Sequence, residues 1–157
     1  MNAQIKPQIR IEPATFTREL GEEAMPLLRA HWKEIATYQD EIPLDVDWGF
    51  YERMRDQGKL FCITARVGHE LVGYSVFLIL RTPHYLSTVF ALNDVIFVRE
   101  DMRNSRLGLA LIRASEREAK HMGARKLTWH CKVSNDVAQL LRRLGYRCDE
   151  VIMGKLL

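Results

Sequence analysis

Residues 98–112 read VREDMRNSRLGLALI. The run that leads into them, DVIFV (94–98), is strongly β-type, and apolar residues at helical spacing follow. A strand that ends at Val98 and a helix that starts near Ser105 to Leu107 leave the first helical N–H groups without internal partners. With the helix dipole, such groups form an anion site. Arg103 and Arg106 add positive charge beside it. Gly108 is the one glycine of the stretch, and phosphate loops commonly carry more. The pattern GxxxxGK(S/T) of nucleoside triphosphate loops is absent, as is the dinucleotide fingerprint GxGxxG. The junction therefore reads either as an anion cradle or as an ordinary capped turn.

The flanking elements decide what kind of sheet this junction belongs to. Residues 8–12 (QIRIE) alternate and read as a strand. Leu20, Ala24, Leu27, Leu28, His31, Ile35 and Tyr38 keep helical spacing, with Pro26 opening or kinking the helix. Asp45 to Arg55 reads as a shorter helix capped by Asp47 and ended by Gly58. KLFCITARV (59–67) and LVGYSVFLILR (71–81) form a hairpin through GHE. Gly73 marks a bulge or a close backbone approach. VFALNDVIFV (89–98) is a third strand, apolar on both faces. A helix over 105–121 follows, with Glu116 and Lys120 able to pair on its outer face. Then come a strand over 126–133, a helix over 135–144, and one or two strands from YRCDEVIMGKLL. The order β α α β β β α β α β has one βαβ crossover behind an antiparallel set, which excludes a fully doubly wound sheet. The expected class is α/β with a mixed α+β sheet.

The chain of 157 residues fits one domain spanning 1–157. Its net charge of +3 is too small to argue for nucleic acid. No apolar run reaches the ~20 residues of a membrane helix, and MNAQIKPQIR lacks a signal-peptide core. A cytoplasmic location is the expectation. Cys62, Cys131 and Cys148 have no metal-ligand spacing and read as buried, reduced thiols. His31 and Glu34 share a helix face but lack a visible third ligand, so no metal site is expected.

VREDMRNSRLGLALI resembles the acetyl-CoA motif of the GNAT superfamily of N-acetyltransferases. The core of that motif is Arg or Gln, two residues, Gly, one residue, then Gly or Ala. Arg103 matches its first position and Gly108 its last, while Asn104 and Arg106 replace glycines. Ser134–Asn135, Ala138 and Leu144–Gly145–Tyr146 resemble a second segment of the family. DEVIMGKLL resembles its last strand, so the resemblance covers about residues 8–157. The wording of EIATYQDE, LVGY, HY, LND and LLRRLGY resembles the small phage and prophage members.

The resemblance implies a GNAT-like fold: a central mixed sheet of six to seven strands flanked by about four helices, with strands 89–98 and 126–133 splayed. It implies acetyl-CoA as cofactor, with the pantetheine arm in the splay. Backbone groups of Phe97 and Val98 would bond the arm, and a strand N–H near Ile96 to Val98 would polarise the acyl carbonyl. N–H groups of Arg103, Asn104, Ser105, Arg106, Leu107, Gly108 and Leu109 would hold the pyrophosphate. Asn135 would contact the cofactor from the next helix. An acceptor ammonium must first lose a proton to a carboxylate. Asp94 is the first candidate, because an acid within DVIFV is otherwise a costly burial; a hydrogen-bonded acid at a strand bulge is the plain alternative. Glu34 is the second. Many relatives place a tyrosine general acid where this chain has Leu141; Cys131, His130 or water would replace it. Tyr146 reads as core packing.

DEIPLDVDWGFYE (40–52) holds five acids and no Lys or Arg. With Trp48, Phe50 and Tyr51, it suits a cationic amine on a small molecule or peptide. A solvated acidic helix face is the plain alternative. His31, Tyr38, His84 and Tyr85 are candidate acceptor contacts. Three functions stay open: an active N-acetyltransferase, a coenzyme A-binding or partner-binding module without turnover, and an interaction protein without cofactor. Strand edges near the C-terminus also leave a homodimer open.

Overall fold

The computed structural model describes residues 8–103, 105–132 and 137–157. The elements run β1 (Ile9–Ala14), α1 (Arg18–Ile35), α2 (Trp48–Asp56), β2 (Leu60–Val67), β3 (Glu70–Leu80) and β4 (Phe90–Val98), then a short 3-10 turn (Glu100–Met102), α3 (Leu107–His121), β5 (Lys126–Thr128) and α4 (Val137–Arg143). They build one mixed sheet in the order β1-β2-β3-β4-β5. The first four strands are antiparallel neighbours, and β5 lies parallel to β4. The mixed α/β class with four flanking helices is as expected.

Local chemistry explains where the helices begin. The Thr17 side chain accepts from the Leu20 N–H at 3.2 Å, so α1 starts there and Pro26 falls inside the helix rather than opening it. The Asp47 carboxylate accepts from the Phe50 N–H at 2.8 Å, capping α2 as its position predicts. Gly58 ends the following turn with φ +65°, a conformation that glycine adopts without steric cost.

The sheet has two covered faces. Phe61, Ile63, Val72, Phe77 and Ala91 pack against Leu107, Leu111 and Ala114 of α3. On the other face, Leu71, Tyr74 and Phe97 meet Leu27 of α1, and Cys62 and Leu60 meet Trp48, Tyr51 and Met54 of α2. Gly21 lets α2 dock, because a Cβ there would lie 2.8 Å from the Trp48 ring.

Two bulges switch the faces. On β3, Ala65 opposes Gly73 but Arg66 opposes Leu71, so Val72 is the extra residue. A Cβ on Gly73 would lie 3.0 Å from the Phe97 carbonyl, so both readings of that glycine hold. On β4, Phe77 opposes Asn93 and Val76 opposes Val95, which leaves Asp94 as the extra residue. One inserted residue inverts the two-residue alternation. Ala91 accordingly faces α3 while Phe97, six positions on, faces α1. DVIFV reads as apolar on both sides because Ile96 and Val98 pack with the α3 cluster while Val95 and Phe97 pack with α1. Asn93, 2% exposed, donates to the Val76 and Val95 carbonyls at 3.3 and 3.0 Å and stitches the bulge closed.

Four expectations are corrected. The sheet has five strands, not six to seven: β5 covers 126–128 rather than 126–133, and no described residue of 146–157 is in a strand. β5 spans only about 10 Å, too little edge to register another strand, and Gly154 interrupts the apolar run of the tail. The tail reaches β5 through a Lys126–Asp149 ion pair at 2.7 Å. Glu116 pairs with Arg113 at 2.9 Å, not with Lys120. Of the cysteines only Cys62 is buried; Cys131 is half-buried and Cys148 exposed. Asp94 is exposed, not buried, because the bulge turns it out of the ladder.

Candidate active site

Two separate features converge on β4. The first is the strand's outer edge. Pairing with β5 stops at Leu92–Thr128, so among the described residues 93–98 has no strand partner on that side. The expected splay has this form: β4 runs on for six residues while β5 ends.

Beyond Val98 the 3-10 turn delivers the chain to α3. Ser105 Oγ donates to the Met102 carbonyl at 2.6 Å and accepts from the Leu107 N–H at 3.2 Å. The Gly108 and Leu109 N–H groups find no partner among the described residues, as expected for a helix start. Arg106 is the N-cap residue, with an exposed side chain and no capping bond. A Cβ on Gly108 would meet nothing within 4 Å, so the ground above the helix start is open. Asn104 and Asn135, both expected to touch the cofactor, lie outside the described residues.

Arg103 does something the sequence did not suggest. Its Nη2 holds both Glu34 carboxylate oxygens, at 2.7 and 2.9 Å, and its Nε donates to the Val98 carbonyl at 2.9 Å. The guanidinium lies over the Phe97 ring, 5.1 Å from its centre. Its side chain thus bridges β4 to α1, and only its backbone remains at the helix start. An ion pair between exposed side chains leaves no sequence signal across a separation of 69 residues.

The second feature is a cleft of about 480 Å³ between α1, the 44–51 segment and the β4 bulge. Asp94, Asp45 and Asp47 line it together with His31, Tyr51 and Lys132. The Tyr51 hydroxyl donates to Asp94 Oδ2 at 2.6 Å. Burial, reinforced by the Asp94 charge, holds the Tyr51 pKa well above the usual phenol value. Beneath Tyr51 lies an apolar cavity of about 50 Å³, lined among others by Cys62, Tyr74 and Val95. Burial, with Asp94 again contributing, pushes the Cys62 thiol up to about 12. His31 packs on Phe97 at 5.0 Å, and burial lowers its pKa, so the ring is neutral near pH 7. The backbone bond from Phe50 keeps Asp47 below the usual carboxylate value.

The remaining candidates sit elsewhere. Glu34 is not among the cleft-lining residues; its carboxylate faces Arg103. Tyr38, in a left-handed turn at φ +60°, is exposed beyond the end of α1. His84 and Tyr85 do not line the cleft either, and the Tyr85 ring packs on Phe90 at the far end of β4. Cys131 neighbours the cleft residue Lys132, and burial raises its thiol pKa. Leu141 is buried at 4% exposure. Tyr146 is half-buried, donates to Glu116 at 2.8 Å and sets its ring edge-on to Trp129, which is the packing role expected of it. Among the described residues no three His, Cys, Asp or Glu side chains cluster as a ligand set, and no helix is long and apolar enough to cross a membrane.

Residues 21–146 match the model of the acetyltransferase (GNAT) family. The chain belongs to that family. No curated protein sequence matches it, so the solved structures extend the likeness through fold alone. The GNAT domain resembles an aminoglycoside acetyltransferase from an uncultured soil metagenomic sample, solved with sisomicin, at a TM-score of 0.73 and 14% identity over 95% of this chain and 96% of that one. It resembles the ribosomal-protein-alanine N-acetyltransferase of Brucella melitensis biovar Abortus 2308 at 0.70 and 19%, over 96% and 99%. AAC(6′)-Iy, solved with the bisubstrate analogue CoA-S-monomethyl-acetylneamine, gives 0.69 and 17%, over 94% and 98%.

GNAT enzymes use acetyl-CoA, and this chain's residues fit it. The Gly108 and Leu109 N–H groups, without a partner among the described residues, and the open space at the start of α3 suit a pyrophosphate, and the edge of β4 left unpaired among the described residues suits an amide-bearing arm.

Proposed function

We propose that this GNAT enzyme moves an acetyl group from acetyl-CoA to a primary amine of a cationic small molecule or peptide, by direct attack on the thioester. The observation that carries the reading is the cleft: three aspartates and a set of aromatic rings face one opening beside the unpaired edge of β4. Bound acetyl-CoA supplies an activated acyl group. Asp45 draws a cationic amine inward, with less from Asp47, whose oxygens hold the Phe50 N–H and Arg53, and the rings of Phe50, Tyr51 and Trp32 flank it. Asp94 then accepts the proton that turns the ammonium into a nucleophile. Backbone N–H groups of Ile96 to Val98 polarise the carbonyl under attack, and those of Gly108 and Leu109 hold phosphate oxygens. The half-buried thiol of Cys131 stays protonated at neutral pH and can return a proton to the leaving sulfur. Glu34 ranks second as base because Arg103 holds both its oxygens.

The rival reading is a coenzyme A-binding module without turnover. Its support is Leu141, buried and apolar where relatives of the family place a proton donor. Thiol release from acetyl-CoA, followed over a panel of polyamines, aminosugars and peptides, separates the two. Release that depends on both protein and amine is the expected result. Tight binding of acetyl-CoA with no release for any amine supports the rival.

A further inference from the structure

We infer that Tyr51 is a positioning residue for Asp94: its hydroxyl holds the carboxylate turned into the amine cleft, with one oxygen left open. This rests on reading Asp94 as the base.

The bulge explains why Asp94 needs such a group. As the extra residue of β4 it has no cross-strand partner, and its side chain is exposed. Tyr51 is its one hydrogen-bond partner among the described residues, and no Lys or Arg pairs with it there. An exposed carboxylate with a single anchor takes its direction from that anchor.

The anchor itself is flanked by three rings. The Tyr51 ring sits 5.4 Å from Phe16, 5.7 Å from Phe50 and 6.1 Å from Trp48. Trp48 in turn rests on the bare backbone of Gly21. A ring clamped in this way has little freedom to swing, so its hydroxyl delivers a fixed bond across a sequence separation of 43 residues. Because burial keeps the phenol protonated, that oxygen donates to the carboxylate and takes no proton from it.

The other groups facing Asp94 come from every neighbouring element: His31 on α1, Asp45 and Asp47 before α2, Cys62 on β2, Tyr74 on β3 and Lys132 after β5. His31 is neutral, and Cys62 and Tyr74 are held protonated by burial. Asp45 and Asp47 oppose a further negative charge, and Lys132 favours it. Tyr51 alone touches the carboxylate. With Oδ2 taken by the phenol, Oδ1 is left to accept the proton from the amine nitrogen. Removing the hydroxyl leaves the carboxylate without that anchor, free to rotate away from the amine.

The test is Tyr51→Phe, which keeps the ring and removes the oxygen. kcat and the KM values for acetyl-CoA and the fastest amine of the panel are measured for wild type, Tyr51→Phe, Asp94→Asn and the double variant. The expected result is a several-fold fall in kcat for Tyr51→Phe in the wild-type background, an unchanged KM for acetyl-CoA, and no further fall when Tyr51→Phe is added to Asp94→Asn. An unchanged kcat in Tyr51→Phe overturns the inference. A fall of the same size in the Asp94→Asn background also overturns it, since the hydroxyl then acts through something other than the carboxylate, though acetyl transfer itself stands. Failure of the transferase reading shows differently: wild-type protein releases no thiol with any amine, and the positioning role falls with it.

Discussion

At the residue scale, β4 and α1 carry two acids that sequence alone ranks closely, and their surroundings separate them. Asp94 opens on the cleft and is bonded to a neutral phenol. Glu34 is spent on Arg103, with both side chains about 40% exposed. Ion pairs at such exposure contribute about 0–1 kcal/mol. Glu34→Gln is therefore expected to change the urea midpoint little and to keep turnover within a few-fold of wild type. A loss as deep as that of Asp94→Asn would transfer the base role to Glu34. His31 gives a pH signature. Burial, the largest influence, lowers its folded pKa, partly offset by Glu34 and aided by Arg103 and Lys132. The unfolded chain then binds a proton that the folded chain resists. Stability from this residue is complete above about 6.5 and is lost as the pH falls through the depressed folded value. Urea unfolding from pH 8 to 5 should show this slope in wild type, and His31→Gln should flatten it.

At the element scale, docking of α2 depends on one glycine. Adding a methyl group at Gly21 drives it into the Trp48 ring, and overpacking of this kind costs about 1–3 kcal/mol. Gly21→Ala should lower the unfolding midpoint and loosen Tyr51, which a rise in tyrosine and tryptophan solvent accessibility would register. The start of α3 has its own test. Arg106→Glu changes the charge beside the expected phosphate site by two, and at about 1 kcal/mol per charge at a helix end acetyl-CoA affinity should fall roughly 30-fold. Unchanged affinity would remove Arg106 from that site. These elements were legible because their signals are local: the Asp47 cap, the Gly58 stop and the hairpin at GHE each lie within a few residues. The short β5 and the absent last strand were not, since strand length depends on the edge a neighbour offers. Asp94 was singled out as an acid in an apolar run, with a hydrogen-bonded bulge position as the alternative, and only the register between two strands shows that it occupies such a bulge. Loop residues such as His84 and Tyr85 show the same limit, because only the topology says which end of β4 their loop reaches.

At the scale of the whole molecule, one strand segment links an arginine-flanked helix start to a cleft in which aspartates outnumber the one lysine, Lys132. Val98 leads to the start of α3, whose Gly108 and Leu109 N–H groups have no partner among the described residues, and to Arg106, while Asp94, about 13 Å back along the strand, faces the cleft with Asp45 and Asp47. A net charge of +3 conceals this arrangement. It suits an anionic cofactor meeting a cationic acceptor, with β4 spanning the distance between them. Two pieces lie far apart in sequence: the acidic 40–52 segment was visible in composition, but its seat against the bulge was not. The central claim is that this arrangement transfers an acetyl group to an amine through Asp94. The most direct measurement is mass spectrometry of polyamine and aminosugar acceptors after incubation with acetyl-CoA and either wild-type protein or Asp94→Asn. The account predicts an acceptor carrying one added acetyl group with wild type, and at least 100-fold slower formation with the variant. Product formed equally fast by both proteins, or bound acetyl-CoA with no acetylated amine from either, would contradict it.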